Sequence, residues 1–265
     1  AAATHLGLEV VPVPLPEHDG FHLSRAAIDL ALAARPRAII VNNANNPTGA
    51  VYSAAILREL VARCEKAGIW LLSDETYADL SFDRAFCTLA SPQTEHVVIM
   101  SSFSKVLSVP GFRTGYAVAH ESVITKIALS NSTLYSCLPA FTQMGCLAGL
   151  SVLDRYAETV RAHGSRLIDS CHHRINKPGL LYCSHPQSGF YLFVDIAGTG
   201  LDDMTFCRRL LEEHHTAVTP GRCFGQDYAS FIRLATCGDG EDVREGVSRT
   251  IAFAQKIGGC RVQAA

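Results

Sequence analysis

Short apolar runs alternate along the first half of the chain with longer stretches whose apolar residues recur at helical spacing. Three of these runs, residues 38–41, 69–72 and 97–100, lie between turn-forming or polar residues. Runs of this length are typical of strands that are buried in a parallel sheet. Because such strands alternate here with helical patterns, the sequence predicts an α/β fold with a mainly parallel sheet covered by helices.

The boundaries of several elements are also marked in the sequence. Ser53 is a good N-cap for a helix whose apolar face runs through residues 56–64, and Gly68 closes that helix. An earlier helix over residues 23–34 stops before Pro36. The opening run, residues 8–13, is predicted to be a further strand.

The second half of the chain has a different pattern of apolar and charged residues. A long, charged helical stretch over residues 154–176 leads away from the first unit. We then expect strands at 190–194 and 231–235, a helix at 202–215, and a last amphipathic helix at 240–257 capped by Asp239. These patterns predict a large domain over residues 1–150, and a linking helix with a smaller α+β domain over residues 151–265.

Composition narrows the possible functions. The chain has 265 residues, is 48% hydrophobic and 18% charged, and carries a formal net charge of -2, so neither nucleic acid nor an anionic membrane is expected as a partner. The most apolar stretch, residues 138–153, is interrupted by polar residues and glycines, so no membrane span is expected. The ten cysteines are spaced singly, which favours buried thiols in a reducing, cytoplasmic compartment and predicts no metal site. The N-terminus has no signal-peptide pattern and enters a strand pattern almost at once, which suggests a piece of a longer protein.

Three of the predicted strands run directly into polar segments at residues 42–49, 74–77 and 101–105. In open α/β sheets the carboxyl ends of the strands face the ligand crevice, so these segments should converge. In the third segment, Lys105 follows a buried strand, where desolvation and nearby cations favour a neutral amine that can attack a carbonyl. Ser102, Ser104 and Arg113 could together bind a phosphate. An isolated S-x-S-K string would more often be a surface loop with a solvated lysine.

Residues 102–115 closely resemble the pyridoxal phosphate (PLP) attachment signature of class I aminotransferases, with a single departure at Thr114. Residues 42–49 are similar to the N-P-x-N-P-T-G loop of that family, although Ala44 replaces its first proline. The D-x-x-Y of residues 74–77 and the arginine-containing strand at 231–235 match two further motifs in the family order.

The resemblance implies a role for each matching residue. Lys105 would hold PLP through a Schiff base, and Ser102, Ser104 and Arg113 would bind its phosphate. Asp74 would keep the ring nitrogen protonated, which the cofactor needs in order to act as an electron sink. Tyr77 and Asn46 would hydrogen-bond the phenolic oxygen of the cofactor, and Asn46 would also help to orient the substrate. Arg233 would grip the α-carboxylate of the substrate.

The expected protein is therefore a fold-type-I, PLP-dependent aminotransferase that acts on an α-amino acid and a 2-oxo acid, with Lys105, Asp74 and Tyr77 as catalytic residues. A homodimer is implied by the resemblance. Two alternatives stay open, a PLP-dependent lyase or cyclase of the same fold and a truncated, non-catalytic dimerisation or regulatory module. The segment that precedes residue 8 in the family includes a phosphate-binding turn and a stacking aromatic ring. Since this chain lacks that segment, we expect it to bind PLP poorly by itself.

Overall fold

The computed structural model describes residues 2–82, 86–90, 94–177 and 179–262, and two four-stranded sheets organise them. The first sheet has the strand order β1-β2-β3-β4. Its strands are β1 (Ala38–Asn42), β2 (Trp70–Asp74), β3 (Val97–Ser102) and β4 (Gly115–Val118). The pairs β1–β2 and β2–β3 are parallel and β3–β4 is antiparallel. The predicted α/β class and the three predicted strands are confirmed.

The second sheet has the strand order β5-β6-β8-β7 and is antiparallel. Its strands are β5 (Tyr182–Cys183), β6 (Tyr191–Asp195), β7 (Thr219–Pro220) and β8 (Phe231–Ala235). The predicted strands near 190–194 and 231–235 are therefore confirmed, and β8 has the predicted bounds.

Helices connect the strands and cover the sheets. They are α1 (Ala2–His5), α2 (Arg25–Ala33), α3 (Ala54–Ala67), α4 (Phe103–Val106), α5 (Glu121–Tyr135), α6 (Ala140–Leu150), α7 (Leu153–Asn176), α8 (Asp203–His214) and α9 (Gly240–Val262). Each long helix predicted from the sequence is present, with ends within a few residues of those expected. Within the described parts of the chain, no helix is long and apolar enough to cross a membrane.

Local capping explains the bounds of α3. The side chain of Ser53 accepts a hydrogen bond from the backbone N–H of Ile56, and Gly68 ends the helix with φ +64°. Leu57 and Leu60 lie on the buried face of this helix. The N-cap and C-cap predicted from the sequence are both confirmed.

The prediction of a strand at residues 8–13 is wrong. These residues belong to no strand, and they follow the short helix α1. A strand requires a neighbour for its backbone N–H and C=O groups, and within the described residues this segment has none. Leu8, Val10 and Val11 are each more than half exposed, so an apolar pattern without a sheet edge to join gives an extended segment.

The strands of the first sheet are buried on one face and open on the other. Leu71 is fully buried against α3, whereas Ile40, Trp70 and Met100 are 62%, 36% and 37% exposed. Within the described chain, helices therefore cover one face of this sheet more fully than the other. Helix α5 covers only part of the second face, where Val123 and the strand residues line a groove.

The segment before α2 connects the two sheets. Phe21 is buried, and its ring packs edge-on against Phe193 of β6 and Phe231 of β8. The Leu15 backbone N–H donates to the hydroxyl of Tyr228, at 3.1 Å. Residues from both predicted domains therefore share one core cluster. A boundary near residue 150 stays a prediction.

Candidate functional site

The carboxyl ends of β1, β2 and β3 lie side by side. In the strand register Asn42 is opposite Asp74, and Asp74 is opposite Met100. Two backbone hydrogen bonds continue the pairing beyond the strand ends, from Asn43 N to Asp74 O at 3.0 Å and from Glu75 N to Met100 O at 2.8 Å. The three polar segments therefore converge as the sequence predicts.

The loop after β1 is fixed by its own asparagines. The Asn42 side-chain oxygen accepts from the backbone N–H of Asn46 at 2.7 Å. The Asn45 side-chain oxygen accepts from the hydroxyl of Thr48 at 2.8 Å, and that of Asn43 accepts from the backbone N–H of Tyr52 at 2.8 Å. These hydrogen bonds leave the Asn46 side chain free to face the second sheet.

Arg233 of β8 meets the loop there. Its Nη1 donates to Oδ1 of Asn46 at 2.9 Å, and its Nη2 donates to the hydroxyl of Thr219 at 3.3 Å. The guanidinium carbon lies 4.2 Å from the ring centroid of Tyr191 and 5.0 Å from that of Phe224. The Nε atom is buried and has no hydrogen-bond partner among the described residues. A buried donor without a partner is costly, so this planar cation is suited to an incoming carboxylate.

Tyr77 lies next to this arginine. It is buried, and its hydroxyl is 3.1 Å from the hydroxyl of Tyr191, with which it shares a hydrogen bond. Burial raises the pKa of Tyr77, the hydrogen bond to Tyr191 raises it further, and the charge of Arg233 acts in the opposite direction. Tyr77 is therefore a neutral phenol that can donate a hydrogen bond.

Asp74 and Glu75 are adjacent carboxylates with different surroundings. Oδ1 of Asp74 accepts from the backbone N–H and the hydroxyl of Thr76, at 3.1 and 2.7 Å. Oδ2 of Asp74 has no hydrogen bond within the part of the chain that the structure describes. Both oxygens of buried Glu75 are taken up, by Ser73, Thr88 and the Leu89 backbone. Asp74 therefore has capacity for a ligand, and Glu75 serves the structure.

Lys105 lies in the last turn of α4. Ser102 caps this short helix by accepting from the Ser104 backbone N–H at 3.0 Å, and the two serine hydroxyls are 2.8 Å apart. The Lys105 ammonium nitrogen is 5.8 Å from the ring centroid of Phe190 and has no hydrogen bond or ion pair among the described residues. Phe190 in turn packs against Tyr77 at 5.7 Å between ring centroids.

Arg113 is not brought to the two serines. It is exposed, and its Nη1 donates to the backbone oxygen of Pro110 at 2.9 Å. The strand that follows it does reach them, because Gly115 pairs with Ser102. A phosphate site formed by Ser102, Ser104 and Arg113 stays a prediction.

Four residues at this site had no role assigned from the sequence. Phe190 and Tyr191 form the ring surface between Lys105 and Arg233, and Thr219 and Phe224 contact Arg233 from the other side. The pairing of β6 with β8 places Phe193 opposite Arg233, and hence Tyr191 diagonally across from it. The sequence does show two adjacent aromatic residues, Phe190 and Tyr191, at the start of an apolar strand. Their function, however, depends on which strand lies beside that one.

Known proteins resemble the chain over most of its length. The family model described as "Aminotransferase class I and II" matches residues 1–249. An aspartate aminotransferase of Thermotoga maritima is 31% identical over 236 residues, which are 88% of this chain and 60% of that protein. The arginine–pyruvate transaminase of Pseudomonas aeruginosa is 30% identical over 258 residues, which are 95% of this chain and 64% of that protein.

Solved structures show the same similarity in three dimensions. An aromatic aminotransferase from Pyrococcus horikoshii superposes with a TM-score of 0.86 at 26% identity, over 93% of this chain and 68% of that chain. A Thermus thermophilus aspartate aminotransferase with maleate gives 0.84 at 28% identity, over 94% of this chain and 64% of that chain. The chain thus spans between 60% and 68% of the length of these relatives.

Proposed function

Since the chain belongs to the class I and II aminotransferase family, we propose that it transfers an amino group between an α-amino acid and a 2-oxo acid with the help of PLP. The contact between Arg233 and Asn46 carries this proposal. It joins residues that are 187 positions apart and leaves a buried guanidinium N–H without a partner. A planar carboxylate fits this site better than any group the described chain provides.

The residues at the carboxyl edge of the first sheet fit the chemical groups of PLP. Nζ of Lys105, which has no hydrogen bond or ion pair among the described residues, suits the aldehyde carbon once it is a neutral amine. The spare oxygen of Asp74 suits a protonated ring nitrogen. The hydroxyl of Tyr77 suits the phenolic oxygen, and Ser102 and Ser104 supply donors for the phosphate. When bound, the cofactor would supply a sink for electrons released at the substrate's α-carbon.

The residues of the chain have separate roles in this proposal. Arg233 binds and orients the α-carboxylate, and Asn46 fixes the position of the guanidinium by accepting a hydrogen bond from its Nη1. Nζ of Lys105 would accept the proton that leaves the substrate's α-carbon and would return it two atoms further along, across the nitrogen. Tyr77 keeps its proton in place because burial favours the neutral phenol. Arg113 would contribute to phosphate binding only after turning away from Pro110.

The choice of substrate side chain is left open by this proposal. The relatives named above act, by their names, on aspartate, on aromatic amino acids and on arginine with pyruvate. All of them are transaminases, which favours transfer over elimination or cyclisation.

We include a homodimer and a cytoplasmic location in the proposal. Helix α6 exposes Phe141, Met144 and Leu147, each at 60% or more, which is unusual for a surface that stays in water. A second copy of the chain would cover this surface. The singly spaced cysteines suit a reducing compartment.

The test is the visible absorption of the purified chain after addition of PLP and dialysis. Because the chain is expected to bind PLP weakly by itself, the visible band that survives brief dialysis should be small. It should still be larger in the wild type and in Lys66→Ala, a matched change at an exposed lysine, than in Lys105→Ala. Borohydride reduction and peptide mapping should then place the cofactor mass on Lys105. Equal retention by Lys105→Ala and the wild type would refute the assignment of Lys105.

A further inference from the structure

We propose that Tyr191 is a positioning residue that links the carboxylate site at Arg233 to the phenol of Tyr77. Its hydroxyl holds Tyr77 and its ring holds Arg233, so one side chain contacts both halves of the site. The part of this inference that concerns the cofactor rests on the proposed function, whereas the part that concerns Arg233 and Tyr77 does not.

The ring of Tyr191 supports Arg233 from one face. The guanidinium carbon is 4.2 Å from the ring centroid, which is within the range of a cation–π interaction. Tyr191 is itself buried, so the interaction is shielded from water. Asn46 and Thr219 accept hydrogen bonds from Nη1 and Nη2 of the guanidinium, and the Tyr191 ring fixes the plane of the guanidinium. The plane of the fork determines how a carboxylate must approach.

The hydroxyl of Tyr191 supports Tyr77 from the other end of the same side chain. The two hydroxyl oxygens are 3.1 Å apart in a buried environment, where hydrogen bonds in a chain strengthen one another. A phenol beside a cation is the better donor, and Arg233 lies over the ring of Tyr191. Either hydroxyl can donate in this pair. When an acceptor occupies the site, we take Tyr191 to be the donor to Tyr77, because that leaves the proton of Tyr77 for the acceptor.

The arrangement couples the two ends. A carboxylate bound to Arg233 offsets part of the positive charge above the Tyr191 ring, which weakens the polarisation of the Tyr191 hydroxyl. Tyr77 then donates less strongly. Binding at the carboxylate site is thereby communicated to the phenol without movement of the backbone.

Two substitutions separate the two contacts. Tyr191→Phe keeps the ring and removes the hydroxyl, and Tyr191→Leu removes both. Tyr182→Phe, at an exposed position on β5, is the matched control. Maleate is the carboxylate probe, and its affinity is measured by calorimetry on the cofactor-free chain.

We expect Tyr191→Phe to bind maleate within about twofold of the wild type, and Tyr191→Leu to bind it about fivefold more weakly, because only the second variant loses the cation–π contact. In the PLP-bound protein, Tyr191→Phe should move the pH midpoint of the visible band upward by about half a unit. The cause is that Tyr77 becomes a weaker donor to the phenolic oxygen. A purely structural role for Tyr191 would leave this midpoint unchanged.

A double-mutant cycle with Tyr77→Phe and Tyr191→Phe tests the hydroxyl pair without cofactor. We expect a coupling of about fivefold in the unfolding equilibrium constant. Absence of coupling, or equal maleate affinity in Tyr191→Phe and Tyr191→Leu, would overturn the inference even if PLP binds normally. A wild-type chain that takes up no PLP would instead count against the proposed function, since the maleate and unfolding measurements still decide the role of Tyr191.

Discussion

At the scale of single residues, the site holds polar groups whose hydrogen-bonding capacity the described chain leaves unused. Glu75 and Asp203 are buried carboxylates whose oxygens are bonded to neighbouring donors. Among the described residues, by contrast, Arg233 keeps a buried N–H without a partner, and Asp74 keeps one oxygen without a hydrogen bond. Unpaired polar groups are costly in the interior, and a ligand at this site would supply partners for both.

Glu17 is a second residue with an unsatisfied atom, and it predicts a pH dependence. Its Oε1 is buried and has no partner in the parts of the chain that the structure describes, and burial together with Asp195 raises its pKa to about 7 from an ordinary value of 4.5. The folded chain therefore holds a proton that the unfolded chain releases between these values. The free energy of unfolding should fall as the pH rises through this window, and the loss should be complete above about pH 7.

Glu17→Gln should remove this pH dependence. We expect the variant and the wild type to be equally stable near pH 4, and the variant to be more stable by about 1–2 kcal/mol at pH 8, a value reduced because the side chain is only half-buried. Urea unfolding at several pH values measures the difference. Glu9→Gln, on the exposed segment before it, should follow the wild-type curve. Parallel curves for Glu17→Gln and the wild type would contradict the assignment.

The candidate site residues could be proposed from the sequence, but their surroundings could not. Lys105, Asp74, Tyr77, Asn46 and Arg233 lie in motifs with fixed spacing. Tyr191 acts through strand pairing between distant parts of the chain, and pairing leaves no local trace. The side chain of Arg113 depends on the φ of +53° in its own backbone, which turns it toward Pro110.

At the scale of elements, caps and turns were predictable because they are local. Ser53, Gly68 and Asp239 each bound a helix through contacts within a few residues. The segment at residues 8–13 shows the opposite case. Its apolar pattern is that of a strand, but strand formation depends on a partner that the pattern does not specify.

An ion pair between buried Asp203 and partly exposed Arg222 fixes the start of α8 against the turn that follows β7. Asp203 is fully buried and accepts from the backbone N–H and the Nε of Arg222, at 2.8 and 2.7 Å. Arg222 lies in the turn that leads on to Phe224, which contacts Arg233. The pair therefore supports the carboxylate site from behind.

Asp203→Asn should destabilise the chain by about 2–4 kcal/mol, because the bonds of the buried carboxylate to Arg222 are lost or weakened. Asp202→Asn is the control, since Asp202 is half-exposed and an amide can still cap α8. That control should change the stability by less than about 1 kcal/mol. Both values come from urea unfolding at pH 7. Equal effects of the two substitutions would show that burial of the Asp203 pair does not matter.

At the scale of the whole molecule, alternation of strands and helices was enough to predict the fold class. What the alternation could not predict is which faces stay open. The apolar run at residues 69–72 was expected to be a buried strand, yet Trp70 is partly exposed. Coverage depends on which other segments fold against the sheet, and that is not contained in the pattern of one strand.

The exposed face of α6 predicts self-association. The wild type should have twice the 28.6 kDa mass of one chain in light scattering coupled to gel filtration. Phe141→Ser combined with Leu147→Ser should shift the protein to the monomer mass, because it removes two large apolar contacts. Leu211→Ser, at a similarly exposed leucine on α8, should leave the mass unchanged. A monomeric wild type at micromolar concentration would refute the proposed dimer.

The hydrogen bond between Asn46 and Arg233 also has a consequence for synthesis. The two residues are 187 positions apart, so a ribosome that adds about 5–20 residues per second needs roughly ten to forty seconds to make the second after the first. During that time the loop after β1 and the strand that leads to Lys105 already exist, without the arginine that completes the site. Under the proposed function, a nascent chain would therefore meet the cofactor well before it could select a substrate.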